Sequence, residues 1–355
     1  MAFGFGKSKS IIGLDIGSSS VKAVELSVKA KGVELINMGV APVPPEAIVQ
    51  GAFLNSGAIT EAIQQAVSDA GIKTKMVATA VAGHSVIVKK ISLPTMSREE
   101  LEESIRWEAE QYIPFDINEV NLDFQILDTG DGEGQMDVLL VAAKKDLIDD
   151  YIQVITDAGL QPVVLDVAAF AVENTFTTNY DLPSGDVVAL VNVGSQVVNI
   201  NIVSEGVPAF TRDISTGGNA YTEEIQKALS VSWEEAERIK LGGGTTEESH
   251  DVVPQEVEQA MRSVTDTVIG EISRSLDFFA ATAAESRIAR VMLSGGGCRV
   301  SGFESAFQGK TNLPVELLNP LERLIPSNRF DPDTLDRWGP SLGVAVGLAM
   351  RRTEV

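Results

Sequence analysis

The residues best placed to do chemistry lie at the start of the chain. Asp15 lies near the end of an apolar run in IIGLDIGSSSVKAVEL (11–26) and is followed, after Ile16, by Gly17, Ser18, Ser19 and Ser20. β-Branched and aliphatic residues flank this small polar turn, so the stretch predicts strand, tight turn, strand. Gly17 lets the backbone approach a ligand, and successive N–H groups in such a turn form an anion-binding concavity. A carboxylate beside a phosphate cradle requires a cation between the two, and Mg²⁺ held partly through water suits that arrangement. A lone hairpin with an Asp-Ile-Gly turn also recurs by chance. Here it is repeated: VALVNVGSQVVNINIV (188–203) has the same order of apolar strand, polar residue (Asn192), aliphatic residue, Gly194, Ser195, Gln196 and second strand. A repeat with a domain-sized period implies two related halves, and two such hairpins facing each other would put both turns at one cleft. Two further glycine stretches follow, the second of which fits either a tight turn or a ligand edge. Gly217 and Gly218 precede a helix, and Gly295, Gly296 and Gly297 follow the strand RVMLS (290–294), leaving bare backbone for a flat polar edge.

The elements that must position these residues follow in order. A strand, a loop with Pro42, Pro44 and Pro45, a helix over 56–70 ended by Gly71, and a strand over 76–81 complete one α/β unit. An inserted stretch follows: strand 87–91, a helix opened by a Ser97/Glu100 capping box and stopped by Pro114, strands 120–127 and 136–142 joined by TGDGEGQ, helix 147–158, and strand 162–165. Apolar helix faces in this stretch are core elements, while Trp107 and the aromatic end at 112–115 also fit a partner groove. A small-residue helix over 165–176 and a Pro183-Ser184-Gly185 linker lead to the second hairpin. Beyond it come helix 220–229, a Ser232/Glu235-capped helix, a glycine break at 242–244, a polar loop at 245–251, a long core helix over 254–287, a helix capped by Ser301 with Glu304, and a small-residue helix at 339–350.

Composition narrows the function. With 355 residues the chain exceeds one simple core. A net charge of −22 disfavours nucleic acid and anionic lipid as main partners, so a phosphate must be held by local donors and a cation. The single cysteine, Cys298, rules out an internal disulfide and a cysteine metal cluster. His84 and His250 stand apart without partner motifs and are structural or surface residues, which argues against a Ser-His-Asp triad. The first ten residues lack a signal-peptide pattern, and the apolar run at 342–350 is too short to span a bilayer, so a cytoplasmic protein is expected.

With these stretches in hand, the chain resembles the actin-like ATPase superfamily over essentially its whole length. Residues 15–20 look like its first phosphate motif, 165–171 its first connecting helix, 191–196 its second phosphate motif, 293–297 its adenosine motif and 341–347 its second connecting helix. The resemblance implies a duplicated, ribonuclease-H-like α/β fold. It divides the chain into a first core half (11–86 and 160–185), an inserted small module (87–159), a second core half (186–216 and 289–351) and a helical subdomain (217–288). It implies ATP with Mg²⁺. Asp15, Asp166 and Asn192 take the catalytic positions, and Asp15 and Asp166 those of the metal. Gly17, Ser18, Ser19, Ser20, Lys22, Gly194, Ser195, Gln196, Gly217, Gly218, Gly295, Gly296 and Gly297 surround the nucleotide, with Glu237 and Lys240 at the nucleoside.

The early position of the insert is that of FtsA-type members, and the ending RRTEV shows no amphipathic membrane helix of the kind cell-division FtsA carries. The stretch LPTMSREELEESIRWEAEQYIPFDINEVNLDFQIL is similar to that of the PilM family of type IV pilus assembly. This implies a cytoplasmic ATP-binding scaffold that holds the N-terminal segment of PilN beside the insert, meets the membrane only through PilN at the inner face of the inner membrane, and contacts other platform and motor components. Self-association stays open. Asn192 departs from the superfamily's carboxylate: an amide orients water but adds no charge, so nucleotide should bind well and hydrolyse slowly or not at all. An FtsA-like filament protein and a small-molecule kinase are the alternatives. A chaperone is disfavoured, because no substrate-binding domain follows the second connecting helix.

Overall fold

The protein is described from a computed structural model covering residues 11–29, 31–128, 134–242, 255–283 and 287–351. The opening apolar runs form β1 (Ile12–Ile16), β2 (Ser20–Lys29) and β3 (Gly32–Pro42), an antiparallel meander. A short hairpin of β4 (Ile48–Val49) and β5 (Ala52–Phe53) precedes α1 (Ser56–Asp69), whose Asn55 side chain caps it by accepting from Ala58 N. Strand β6 (Met76–Val81) then runs parallel to β1.

The insert comprises β7 (Val86–Pro94), α2 (Arg98–Glu110), β8 (Val120–Asp128), β9 (Gln135–Lys144) and α3 (Lys145–Asp157). Its three strands form their own sheet in the order β7-β9-β8. The Ser97/Glu100 capping box is present, and Leu101, Ile105 and Ala109 of α2 bury against Leu93, Val138 and Leu140. Helix α3 packs elsewhere: Leu147, Tyr151, Val154 and Ile155 join the core under β1. Trp107 projects outward and is 75% exposed.

Strand β10 (Gln161–Val167) adds to β6, and α4 (Ala168–Asn179) crosses to the second half. That half repeats the first: β11 (Val187–Val193), β12 (Val198–Ser204), β13 (Val207–Ile214), helices α5 (Asn219–Leu229), α6 (Trp233–Lys240) and α7 (Gln255–Thr282), then β14 (Ile288–Ser294), α8 (Phe303–Thr311) and β15 (Val315–Leu317). The chain closes with β16 (Ile325–Pro326), α9 (Pro332–Trp338) and α10 (Gly343–Ala349). The sheets read β10-β6-β1-β2-β3-β16 and β13-β12-β11-β14-β15, so each carries the same five-strand order around its first hairpin.

Two expectations shift locally. The helix expected from Leu165 starts at Ala168, because Val163, Val164 and Val167 favour extended backbone and Val167 still has φ −103° and ψ 134°. Helix α8 is not capped by Ser301; it starts at Gly302, whose φ of +79° turns the chain without a side-chain cap. Residues 1–10, 30, 129–133, 243–254, 284–286 and 352–355 lie outside the described residues, and with them most of the TGDGEGQ turn and all of the polar loop expected at 245–251 with His250.

Small residues let α4 and α10 meet between the sheets. A Cβ on Gly347 would lie 1.7 Å from the Ala171 carbonyl oxygen, and one on Gly13 of β1 2.0 Å from that of Ala345. Thr175 Oγ1 donates to Gly343 O at 2.5 Å across the same crossing. Gly309 of α8 has nothing within 4 Å of its virtual Cβ. Gly347→Ala should therefore destabilise by about 1–3 kcal/mol or more through overpacking. Gly309→Ala should stabilise by about 0.5–1 kcal/mol. Urea unfolding of the two variants beside wild type checks both signs.

Candidate functional site

The two hairpins are built on one plan. Asp15 stands opposite Lys22 in β1–β2, and Asn192 opposite Asn199 in β11–β12. Each turn closes on its glycine: Gly17 N donates to Ser20 O at 3.1 Å and Gly194 N to Val197 O at 2.9 Å. The cross-strand partners differ in kind, Lys22 Nζ pairing with Asp15 Oδ2 at 3.0 Å and Asn192 Nδ2 donating to Asn199 Oδ1 at 3.0 Å. The turns meet tip to tip, with the hydroxyls of Ser18 and Ser195 2.5 Å apart. Ser19 is exposed and its carbonyl accepts from Val43 N, while Ser20 is buried at the start of β2.

Behind the second turn the glycine stretches converge. Gly218 N donates to Gly194 O at 2.9 Å and Asn219 N to Ser195 O at 2.8 Å. A Cβ on Gly217 would sit 2.4 Å from Gly194 O, and one on Gly295, at φ +90°, 2.3 Å from Val193 O. Gly297 lies as close to Val193, whereas Gly296 is exposed with open space beside it. Gly217, Gly295 and Gly297 thus serve the close stacking of turns, and Gly296 leaves backbone bare. At the rim, Lys240 Nζ lies 2.6 Å from Glu237 Oε2, 3.1 Å from Thr222 Oγ1 and 3.3 Å from Gly218 O. Residues 194–196, 217–218, 237, 240 and 295–297 therefore share one wall, with residues 17–18 on the other. This bare-backbone cradle fits a nucleotide, whose phosphates need N–H donors and whose flat base needs an unobstructed edge.

Neither expected carboxylate stands free here, so Mg²⁺ would be held by Asp15 and Asp166 only through water and the phosphates of a bound nucleotide. Asp15 is paired with Lys22, and Asp166 Oδ2 with Arg351 Nε at 2.6 Å while its other oxygen accepts from Val167 N. Among the described residues no cluster of three or more His, Cys, Asp or Glu side chains could hold a metal ion.

Several partners were not legible in the sequence because the residues are distant along the chain. Gln196 spans the cleft: its Nε2 donates to Ile48 O at 2.8 Å and its Oε1 accepts from Gln50 N at 3.0 Å. Asn199 Nδ2 donates to Asp213 Oδ1 at 2.8 Å, and Asp213 Oδ2 accepts from Gly83 N of the first half at 2.5 Å. Burial raises the Asp213 pKa against the lowering effect of those two bonds. Below the floor, Asn201 Nδ2 donates to Glu173 Oε2 at 2.7 Å, and burial pushes the Glu173 carboxyl up to about 7. Cys298 is buried, with its thiol pushed up to about 12, and His84 is exposed.

A second concavity lies beside the insert. Tyr151, Ile152 and Ile155 of α3 and residues 162–165 of β10 line a groove of about 190 Å³ floored by Thr79. Its rim includes Ile152, 43% exposed, and Leu165, 37% exposed, and β10 is an outer strand of its sheet. Among the described residues no helix is long and apolar enough to cross a membrane.

Two sheets of one strand order, bridged by crossing helices and presenting paired glycine turns to a common cleft, define the duplicated actin-like fold. MreB 5 of Spiroplasma citri, solved bound to AMPPNP, shares this fold at TM-score 0.52 and 12% identity, covering 96% of this chain and 95% of that one. FtsA of Neisseria meningitidis serogroup B is 25% identical over 376 residues, 94% of this chain and 88% of its own length. A structure described as a PilM-PilN type IV pilus biogenesis complex matches at TM-score 0.85 and 30% identity, covering 96% of this chain and 98% of that one. The profile of the family described as type IV pilus assembly protein PilM matches residues 13–353. The chain belongs to the PilM family.

Glu173 offers a check on the cleft floor. An acid whose folded pKa is raised stabilises the fold while protonated; that contribution is complete below its ordinary value of 4.5 and lost as pH rises through about 7. Wild type should therefore lose about 1–2 kcal/mol more stability than Glu173→Gln between about pH 5 and about pH 8. Denaturant titrations at the two pH values measure the difference.

Proposed function

We propose that this chain is a cytoplasmic ATP-binding scaffold of type IV pilus assembly. It takes the N-terminal cytoplasmic segment of PilN in the groove between α3 and β10, and so links the inner-membrane platform to the motor. The observation that carries the nucleotide reading is the meeting of two equivalent glycine turns, Gly17-Ser18 and Gly194-Ser195, from opposite walls of one cleft. Backbone donors there suit phosphates despite the net charge of −22, because the N–H groups act at contact distance while the overall field is screened by salt. Asp15 and Asp166 are the carboxylates proposed for this chemistry, and their pairing with Lys22 and Arg351 supports storage of a bound nucleotide over rapid turnover. Asn192 adds no charge to activate water, which points the same way.

The partner reading draws on family membership and on the PilM-PilN complex found for a relative that is 30% identical. The groove suits it physically. An extended apolar segment can lay side chains against Ile152, Ile155 and Leu165 and offer its backbone to the outer strand β10. Such a segment would bring the scaffold to the inner face of the inner membrane.

Two titrations test the proposal together. Mg-ATP at ~100 times its dissociation constant should stabilise wild type by about 2.7 kcal/mol in thermal unfolding, and Asp15→Ala should lose most of that. A peptide of the PilN N-terminal segment from the same organism should bind wild type and lose at least about tenfold in affinity to Leu165→Asp, which places a charge where apolar contact is needed. Unchanged melting with ATP sinks the first part, and equal peptide binding by Leu165→Asp sinks the second.

A further inference from the structure

The phosphate turns and the apolar groove are joined by a short piece of chain that neither site uses directly. The β4–β5 hairpin turns through Gln50 and Gly51, both with positive φ, as a tight two-residue turn requires. Its base is pinned by Leu54 N and Asn55 N, both donating to Ala47 O. The hairpin is therefore a stiff lever. One arm is held by the second half, through the Gln196 amide on Ile48 O and Gln50 N. The other arm ends in Phe53, whose ring packs on Tyr151 with centroids 4.7 Å apart. Tyr151 is the inner wall of the groove.

We propose that this hairpin transmits the state of the phosphate turns to the groove, so that nucleotide sets how the partner segment is received. The proposal rests on the nucleotide and partner assignments made above and adds their coupling. With the Ser18 and Ser195 hydroxyls 2.5 Å apart, no phosphate group fits between the turn tips. Seating phosphates there must move residues 195–196 away from residues 17–18, and Gln196 cannot follow its own turn and keep both bonds to the first half. Release of Ile48 and Gln50 frees the lever, and Phe53 then loosens its hold on Tyr151. Phe53 is a positioning residue that acts through the hairpin, and Gln196 ties the wall of the second phosphate turn to that hairpin. Two-state packing of this kind can couple sites only if each ligand favours one arrangement, so the effect must be reciprocal.

Hydrogen exchange on the full chain tests it, with thermal unfolding confirming that each protein is saturated with Mg-ATP. In wild type, Mg-ATP should speed exchange several-fold in residues 48–53 and in residues 151–157 of α3. In Phe53→Ala the hairpin should still respond while α3 falls silent, and Phe53→Tyr, which keeps the ring contact, should restore the α3 response. In Gln196→Leu the hairpin should exchange fast without nucleotide and no longer respond to it. A merely structural Phe53 would change basal exchange in both states alike. An α3 response of equal size in wild type and Phe53→Ala overturns the coupling. So does a silent α3 in wild type that ATP demonstrably stabilises, and that result leaves the nucleotide reading standing. Failure of ATP to stabilise wild type at all overturns both.

Discussion

The structure depends on a backbone-to-backbone approach that no side chain interrupts. Helices α4 and α10 cross where Gly347 lies against the Ala171 carbonyl, and Gly13 of β1 lies equally close to α10. Cores of native density tolerate so tight a crossing only with glycine or alanine in place. The crossing sets the distance between the two sheets, with Ala78, Val172, Leu190, Met292 and Leu348 filling the space between them. Because each sheet carries its first hairpin at the same place in the same strand order, that distance brings Gly17 and Gly194 to opposite walls of one cleft.

The halves have diverged where charge matters. The first hairpin keeps an ion pair, Asp15 with Lys22, and the second an amide pair, Asn192 with Asn199, which continues to the half-buried Asp213 and to Gly83 of the first half. One wall thus offers an ion pair, and the other an amide pair whose hydrogen bonds run through Asp213 and end across the cleft. A partly buried network of this kind is most stable while every member is satisfied, so it favours a defined closed arrangement over fast chemistry. The same economy of charge appears at Asp166, held by Arg351, and at the Glu237–Lys240 pair beside Gly218.

Much of this was legible in the sequence because it is local. Alternation and a glycine at each bend identified both hairpins and their equivalence, and Ser97 with Glu100 marked the start of α2. The order of glycine stretches pointed to one cleft, and residues 194–196, 217–218 and 295–297 do share a wall. What spacing could not reveal were partners far apart in the chain. The bonds of Gln196 to residues 48 and 50, the Asp166–Arg351 pair and the Phe53–Tyr151 contact exist only once the fold is closed. Local errors had local causes: valines carried β10 past Leu165 to Val167, and the left-handed backbone of Gly302 began α8 where a serine cap was expected. The aromatic end of α2, which the sequence offers as a partner groove, and the concavity between α3 and the outer edge of β10 are separate surfaces.

The most direct measurement concerns the contact of the two turns. In a protein carrying Ser18→Cys and Ser195→Cys, the thiols replace hydroxyls 2.5 Å apart, within reach of a disulfide. The buried Cys298, with its thiol pushed up to about 12, will not compete. Under mild oxidant the account expects rapid crosslinking without nucleotide and strong protection by saturating Mg-ATP, since phosphates between the turns must part them. Failure to crosslink, or crosslinking at the same rate with and without Mg-ATP, would contradict it.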